Sequence, residues 1–478
     1  LLVASGVGPH ARVALLMPNG IEWALAAYAI TRIGALLVPL STLLRPPELA
    51  AQLRQASVSH LIASPEYRGR DYFSELESVV PGVLDRTTAG GREEALPALQ
   101  RVWPADALPT ASARPEIVEA LEAAVCPSDD FVLLFTSGSR GAPKGVLHTH
   151  GNAIRAVASG LEARCIGRGE RLYIPMPFFW TGGLSGGLLT ALVAEATLLT
   201  ESDPTPAGTL AFLARERVTL FRGWPDQAAR IAADPTFPET DLSSLGDGSL
   251  PALLPESRRP RPGARANLFG MTETFGPYCG SRADSDLPEG KQGSCGRPFA
   301  GIEVRILDAE TGEPVAPGEQ GEIAVRGPNV MSGIVGRLRE QTFTPDGFYR
   351  TGDLGVLDEN GYLSFRGRAD DMFKVSGATV YPSEVESALR TIPFVAQAFV
   401  TNVPGEGGDQ DVVGAAVFCR EEIDLARLDR LCRERLSAFK VPRRWVRLST
   451  LDEVPMMATG KVDKSGLQQL IERVGTSV

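Results

Sequence analysis

Apolar and polar positions follow two different periods along this chain. As far as about residue 366, short apolar runs alternate with segments whose apolar residues recur every three or four positions, as in parallel sheets covered by helices. Residues 13–17 predict a strand, 21–33 a helix opened by Asn19-Gly20, and 131–135 a buried strand. The stretch 104–128, rich in Ala and Pro, predicts a connection holding one helix at 116–124, and 235–262 is similarly irregular. Further on, Ile302, Val304 and Ile306 alternate with polar residues, as do 322–326, which predicts half-exposed antiparallel strands. A separate small α/β unit closes the chain. In it Ser383 and Glu386 read as a capping box after Pro382, with Val385, Leu389 and Ile392 along one helical face. Strands at 395–400 and 412–418 follow, then a helix from near Asp424 with Leu425, Leu428, Leu431, Cys432 and Leu436 inward. The domain boundary is placed at 368–371, and no internal repeat is evident. The first residues read as the end of a helix that stops near Gly6.

Composition narrows the class. A chain of 478 residues exceeds one compact core and predicts two or more domains, and 43% hydrophobic residues describe a soluble globular protein. A net charge of -10 argues against nucleic acid, since phosphate contacts need a basic surface. The run Arg258, Arg259, Arg261 and Arg265 lies among prolines and reads as a solvated loop. Six cysteines without a CxxC pair point to a reducing, cytoplasmic setting and no disulfide framework. His148 and His150 would share one face of a strand; with no further ligands nearby they read as structural rather than as a zinc site. No apolar run reaches the about 20 residues that span a bilayer, the nearest, 187–200, being interrupted by Glu195.

Chemistry concentrates at 135–146, Phe-Thr-Ser-Gly-Ser-Arg-Gly-Ala-Pro-Lys-Gly-Val. Glycines let backbone N–H groups turn toward an anion, Thr136, Ser137 and Ser139 add hydroxyl donors, and Arg140 and Lys144 add charge. A Walker A loop is excluded, because Pro143 precedes Lys144 and Gly145 follows it. The glycines at 6–8 precede a strand instead of following one, so they make no dinucleotide fingerprint. Four more polar clusters punctuate strands: Gly270-Met271-Thr272-Glu273, then Tyr349-Arg350-Thr351-Gly352-Asp353, then Arg366-Gly367-Arg368-Ala369-Asp370-Asp371, and Ala458-Thr459-Gly460-Lys461.

In order and spacing these five clusters resemble the ANL superfamily of adenylate-forming enzymes, which includes acyl-CoA synthetases, peptide-synthetase adenylation domains and luciferases; the resemblance covers essentially the whole chain, lacking only an N-terminal piece of the family's pattern. The resemblance implies an α/β fold: a large N-terminal domain, residues 1–369, of parallel and mixed sheets with helices plus a β-subdomain, and a small mobile C-terminal α+β domain, 370–478, hinged at Asp370. It implies ATP, Mg²⁺ and coenzyme A as cofactors and co-substrates. Thr136, Ser137, Gly138, Ser139, Arg140, Gly141 and Lys144 would hold the β- and γ-phosphates, Thr272 the α-phosphate, and Glu273 the metal. Asp353 would accept both ribose hydroxyls, Arg368 would meet ribose or phosphate, and Phe269 would lie on adenine opposite a strand end near Gly248, Ser249 and Leu250. Lys461 would be the catalytic cation between carboxylate and α-phosphate, with Thr272 and Glu273 beside it. Lys374 and Gly377 would approach a thiol channel after the small domain rotates.

Taken singly, Glu273 reads equally as a helix N-terminal carboxylate and Asp353 as a turn residue. This chain also departs from the family. Arg140 replaces a threonine, Thr379 a longer polar or basic residue, and Trp180, with Gly182 and Gly183, stands where relatives place a histidine beside the carboxylate. Trp180 is either a wall of the acyl pocket or a core aromatic. The implied activity is fatty-acid-type acyl-CoA synthesis: acyl-AMP and pyrophosphate, then acyl-CoA and AMP. Loading of a separate carrier protein, or nucleotide binding without catalysis, are the alternatives, and a homodimer is left open.

Overall fold

Successive residues of the central strands enter two different cores, which is why those strands read as unbroken apolar runs. Val13 and Leu15 pack on one side of the sheet and Ala14 and Leu16 on the other. Val132 and Leu134 likewise face away from Leu133. These strands belong to a computed structural model that describes residues 1–88, 94–138, 141–369, 371, 373–375, 378–405, 411–436, 440–457 and 461–477.

Two compact units are present, the first built from residues 1–304, 325–349 and 360–363, the second from 305–324, 350–359 and 364–478. The first unit holds a seven-stranded sheet in the order Gly333–Ile334, Gly141–Thr149, Asp130–Gly138, Leu36–Pro39, Arg12–Leu16, His60–Ala63, Arg101–Pro104. Its middle is parallel, whereas Asp130–Gly138 and Gly141–Thr149 form an antiparallel hairpin. Helix Ile21–Arg32 lays Trp23, Ala27 and Ile30 on this sheet at helical spacing, and burial of a side chain the size of Ile30 is worth about 1.5–3 kcal/mol. A parallel three-stranded sheet (Thr197–Leu199, Arg171–Tyr173, Leu220–Phe221) and a small antiparallel one (Phe269–Met271, Gly276–Gly280, Arg297–Pro298) complete the surroundings of the site.

In the second unit, strands Val395–Pro404, Asp411–Cys419, Arg444–Leu448 and Thr476–Ser477 form one mixed sheet. Helices Pro382–Arg390 and Leu425–Arg433 cover one face and Lys464–Val474 the other. Asp424 caps its helix as expected, its carboxylate accepting from the Ala426 N–H.

Four local expectations are corrected. The capping box at Ser383 does not form, because Pro382 already occupies the first helical turn. Ser383 donates to the Arg366 carbonyl at 2.6 Å instead, and Glu386 accepts from the Val400 N–H at 2.9 Å. Strand Gln320–Arg326 is buried on both faces rather than one. His148 and His150 share no face, since His148 ends a strand and His150 begins helix His150–Ser159, with Thr149 as its cap. The opening residues form a single 3₁₀ turn, Val3–Ser5, closed by Gly6 at φ 86. All six cysteines are free, and among the described residues no helix is long and apolar enough to cross a membrane.

His60 and His148 are both buried. Burial brings His148 down to about 4 despite the opposing pull of its bonds to Thr272 and Asn152 and of the Glu273 charge, and it lowers His60 with help from Arg101. The unfolded chain takes up a proton at His148 below about pH 6.5, and the folded chain resists doing so. Stability is therefore full above that pH and falls as acid is added, by about 3 kcal/mol from His148 by the time its folded value is reached. The thermal midpoint should drop between about pH 7 and pH 5, and His148→Gln, which removes the titrating group, should shrink that drop.

Candidate active site

The phosphate-loop sequence is the tip of the hairpin in the first unit. Thr136 lies directly across from Lys144, and Phe135 from Gly145, with a register shift between Thr136 and Gly138, after which Gly138 pairs with Gly141. A Cβ at Gly145 would stand 3.0 Å from the Leu133 side chain, so the strands close tightly below the tip. The Thr136 hydroxyl is buried with no hydrogen-bond partner among the described residues, a donor left for a ligand oxygen. Ser139 and Arg140 lie outside the described residues, as do the side chains of Ser137, Gly138 and Gly141.

Lys144 reaches from this hairpin to the turn after strand Phe269–Met271. Its Nζ stands 2.7 Å from Glu273 Oε1, with side-chain exposures of 28% and 5%, so the carboxylate is the desolvated partner. The Tyr349 hydroxyl donates to the same oxygen at 3.2 Å and accepts from Lys144 at 3.4 Å. The turn itself is one 3₁₀ turn, Thr272–Thr274, followed by Phe275 at φ 54. The Thr274 hydroxyl fastens it to the carbonyls of Met271 and Gly276. Gly270 is required, because a Cβ there would lie 2.1 Å from the Gly276 carbonyl oxygen. The Thr272 carbonyl accepts from His148 Nε2 at 2.7 Å, the Glu273 carbonyl from the Met331 N–H at 2.8 Å, and the Thr272 hydroxyl from Thr181 at 3.1 Å. Phe269 packs edge-on against Tyr278 at 5.6 Å.

Trp180 precedes Thr181 and caps a helical stretch running Thr181–Gly183, Leu184–Leu189 as a π turn, and Thr190–Ala194. Its ring meets Phe179 edge to face at 5.3 Å and Trp224 at 6.0 Å, and Trp224 is 41% exposed. Trp180 is thus no closed core aromatic. At Gly182 a Cβ would stand 2.6 Å from Met176 Sδ, and at Gly183 2.1 Å from the Pro177 carbonyl oxygen. Gly248 lies on an irregular turn, which corrects the expected strand end; that turn docks on strand Leu220–Phe221 through Ser249, whose hydroxyl accepts from the Phe221 N–H.

The second unit carries the remaining candidates. Asp353, buried on strand Tyr349–Leu357, accepts from Arg368 Nη1 at 2.9 Å, so these two are brought together. Glu322 supports them: one oxygen pairs with Arg350 and the other accepts from the Gly352 N–H at 3.0 Å, holding Gly352 at φ 73. Lys461 is exposed, and its carbonyl accepts from the Met457 N–H at 2.7 Å. Asp370 and Gly377 lie outside the described residues, as does the Lys374 side chain, although Lys374 pairs with Thr379 in a two-stranded ladder.

Sequence reasoning missed Tyr349, Thr181 and Glu322 as supports, and took His148 as structural only. Strand alternation was the available signal for Tyr349, since it places Tyr349, Thr351 and Asp353 on one buried face. Nothing in the sequence pointed to Thr181.

Magnesium fits this donor set. Among the described residues no three His, Cys, Asp or Glu side chains gather, so a metal would be held by the Glu273 carboxylate together with nucleotide oxygens and water, the usual arrangement for this hard cation. Removing Lys144 alone leaves a desolvated carboxylate. Lys144→Met should therefore destabilise the protein by about 1–3 kcal/mol, and Glu273→Gln with Lys144→Met by less than the sum of the two single changes. Urea unfolding of the four proteins measures this coupling, and strict additivity would show that the pair contributes nothing.

Comparison with known proteins agrees with this geometry. A family model described as AMP-binding enzyme matches residues 1–335, and one described as AMP-binding enzyme C-terminal domain matches 384–461. The chain is 34% identical to the 3-[(3aS,4S,7aS)-7a-methyl-1,5-dioxo-octahydro-1H-inden-4-yl]propanoyl:CoA ligase of Mycobacterium tuberculosis, over 98% of this chain and 90% of that protein. It is equally 34% identical to a feruloyl-CoA synthase of an Amycolatopsis species, with the same coverage of each. Among solved structures, the anthranilate CoA ligase AuaEII in complex with anthranoyl-AMP superposes with a TM-score of 0.77 at 25% identity, over 98% of this chain and 89% of that one. The buried carboxylate, the lysine-bearing hairpin and the glycine-bound turn that joins them are thus those of a chain that belongs to the AMP-binding, adenylate-forming ANL enzymes and is an AMP-forming acid–CoA ligase.

Proposed function

We propose that this ligase activates a ring-bearing carboxylic acid. The observation that carries the acid class is the part-exposed, edge-to-face pair of Trp180 and Trp224, of which Trp180 is next in sequence to Thr181, whose hydroxyl bonds Thr272. Two indoles at that position offer flat, polarisable walls to a planar or cyclic acyl group, and contacts of this kind are worth about 0.5–1.5 kcal/mol each beyond area burial. The named relatives, which act on feruloyl, anthranoyl and indenyl-propanoyl groups, support the same class. The fatty acid expected from sequence is the competing substrate.

In this reading each side chain holds one part of the reaction. Thr136 and Lys144 bind the β- and γ-phosphates, and Lys144 leaves Glu273 to do so. Glu273 would hold a magnesium ion, whose positive charge would offset that of the leaving pyrophosphate. Thr272 donates its hydroxyl to the α-phosphate while accepting from Thr181. Asp353 accepts the ribose hydroxyls and Arg368 steadies it. Lys461 places a cation between the acid carboxylate and the α-phosphate, where negative charge gathers in the transition state. The carboxylate oxygen forms the new bond to phosphorus as the bond to pyrophosphate breaks. Coenzyme A, its thiol proton lost to solvent, then bonds the acyl carbon through sulfur as that carbon's bond to the bridging oxygen breaks, so AMP leaves with the bridging oxygen and the carbonyl oxygen stays in the thioester. Rotation about Asp370, bringing 374–377 to the thiol, separates the two steps.

Acid-dependent exchange of pyrophosphate into ATP should appear with aryl and cyclic acids at kcat/KM at least about tenfold above straight-chain acids, a margin of about 1.4 kcal/mol. A preference for straight chains would overturn the acid class. Lys461→Ala should abolish this exchange while sparing thioester formation from supplied acyl-AMP, and equal loss of both would contradict the two-step division of labour.

A further inference from the structure

The Thr272–Glu273 turn is gripped at two points by a single strand. Lys144 and His148 lie four residues apart on Gly141–Thr149, with no register shift between them, so both project from one face. Lys144 takes the Glu273 carboxylate and His148 takes the Thr272 carbonyl.

The imidazole has no freedom in how it does this. Asn152 Nδ2 faces the Val330 carbonyl at 2.7 Å, which makes that atom the amide nitrogen, and it lies 3.2 Å from His148 Nδ1. Nδ1 must then accept, so Nε2 carries the proton that goes to Thr272. Val330 adjoins Met331, whose N–H holds the Glu273 carbonyl. Two consecutive carbonyls of the turn are thus tied through one circuit to helix His150–Ser159 and to the chain at 330–331. The ring is fully buried against Phe275, at 4.8 Å between centroids, where a leucine would fill the space without a polar group to satisfy.

We infer that His148 is a positioning residue for adenylation: by fixing the Thr272 peptide it sets the direction of both the Thr272 hydroxyl and the Glu273 carboxylate. The inference rests on the ligase reading above. A tilt of that peptide moves both groups together, and displacement by about 1 Å at a reacting centre costs about a hundredfold in rate.

The test compares His148→Leu, which deletes the donor, with His148→Gln, which keeps an amide N–H at the reach of Nε2. Asn152→Leu serves as a second variant that leaves the ring in place but releases its tautomer. His148→Leu should lower kcat for pyrophosphate exchange by about 10- to 100-fold with the KM of the acid unchanged, His148→Gln should recover to within about threefold, and Asn152→Leu should fall between. Hydrogen–deuterium exchange of the peptide covering 268–280 should show faster uptake in His148→Leu and recovery in His148→Gln. Unchanged kcat per folded molecule in His148→Leu, or unchanged uptake in that peptide, would overturn the inference. Absence of exchange in the unmodified protein over a broad acid panel would count against the ligase reading instead, and deuterium uptake would still decide whether His148 sets the turn.

Discussion

The ion pair of Lys144 and Glu273 is the constraint on which the larger unit depends. A carboxylate this far from water has to have a counter-charge, so the hairpin must close in the register that delivers a lysine and the glycine-bound turn must present the acid. Tyr349 adds a neutral donor to the same oxygen. Of the two charges the carboxylate is the desolvated one, at 5% exposure against 28% for the lysine. Its counter-charge and its neutral donor are both supplied from within the protein, which is the physical content of preorganisation here.

How much of this was legible in the sequence follows from range. The strand at 131–135 and the polar clusters holding Thr272, Glu273, Asp353 and Arg368 were readable because each is a local pattern whose residue types packing alone does not demand, whereas the antiparallel partner of that strand and the bond between Asp353 and Arg368 were not foreseen. Failures came where a distant group intervened. Ser383 and Glu386 have capping-box spacing, but the Arg366 carbonyl and the Val400 amide reach them from outside the helix. His148 and His150 have strand spacing, but Thr149 caps a helix between them and turns the chain. Thr181 meets Thr272 across 91 positions, a contact that no single-chain pattern announces.

The second unit repeats the same economy with fewer parts. Glu322 uses its two oxygens for different ends, one balancing Arg350 and the other holding the Gly352 amide, so the backbone bend ahead of Asp353 is set by a carboxylate outside the motif. Support residues of this kind carry no chemistry of their own, and sequence motifs built around chemistry pass over them.

The two glycines beside Trp180 are unlike in what surrounds them. At Gly182 the obstacle is the thioether of Met176, the far end of a flexible side chain; at Gly183 it is the carbonyl of Pro177, which belongs to the backbone. One obstacle can thus swing aside and the other cannot. A side chain at position 182 asks only that a thioether move, whereas one at 183 would displace the main chain itself, so of two adjacent glycines the first tolerates drift and the second is fixed by the path of the backbone.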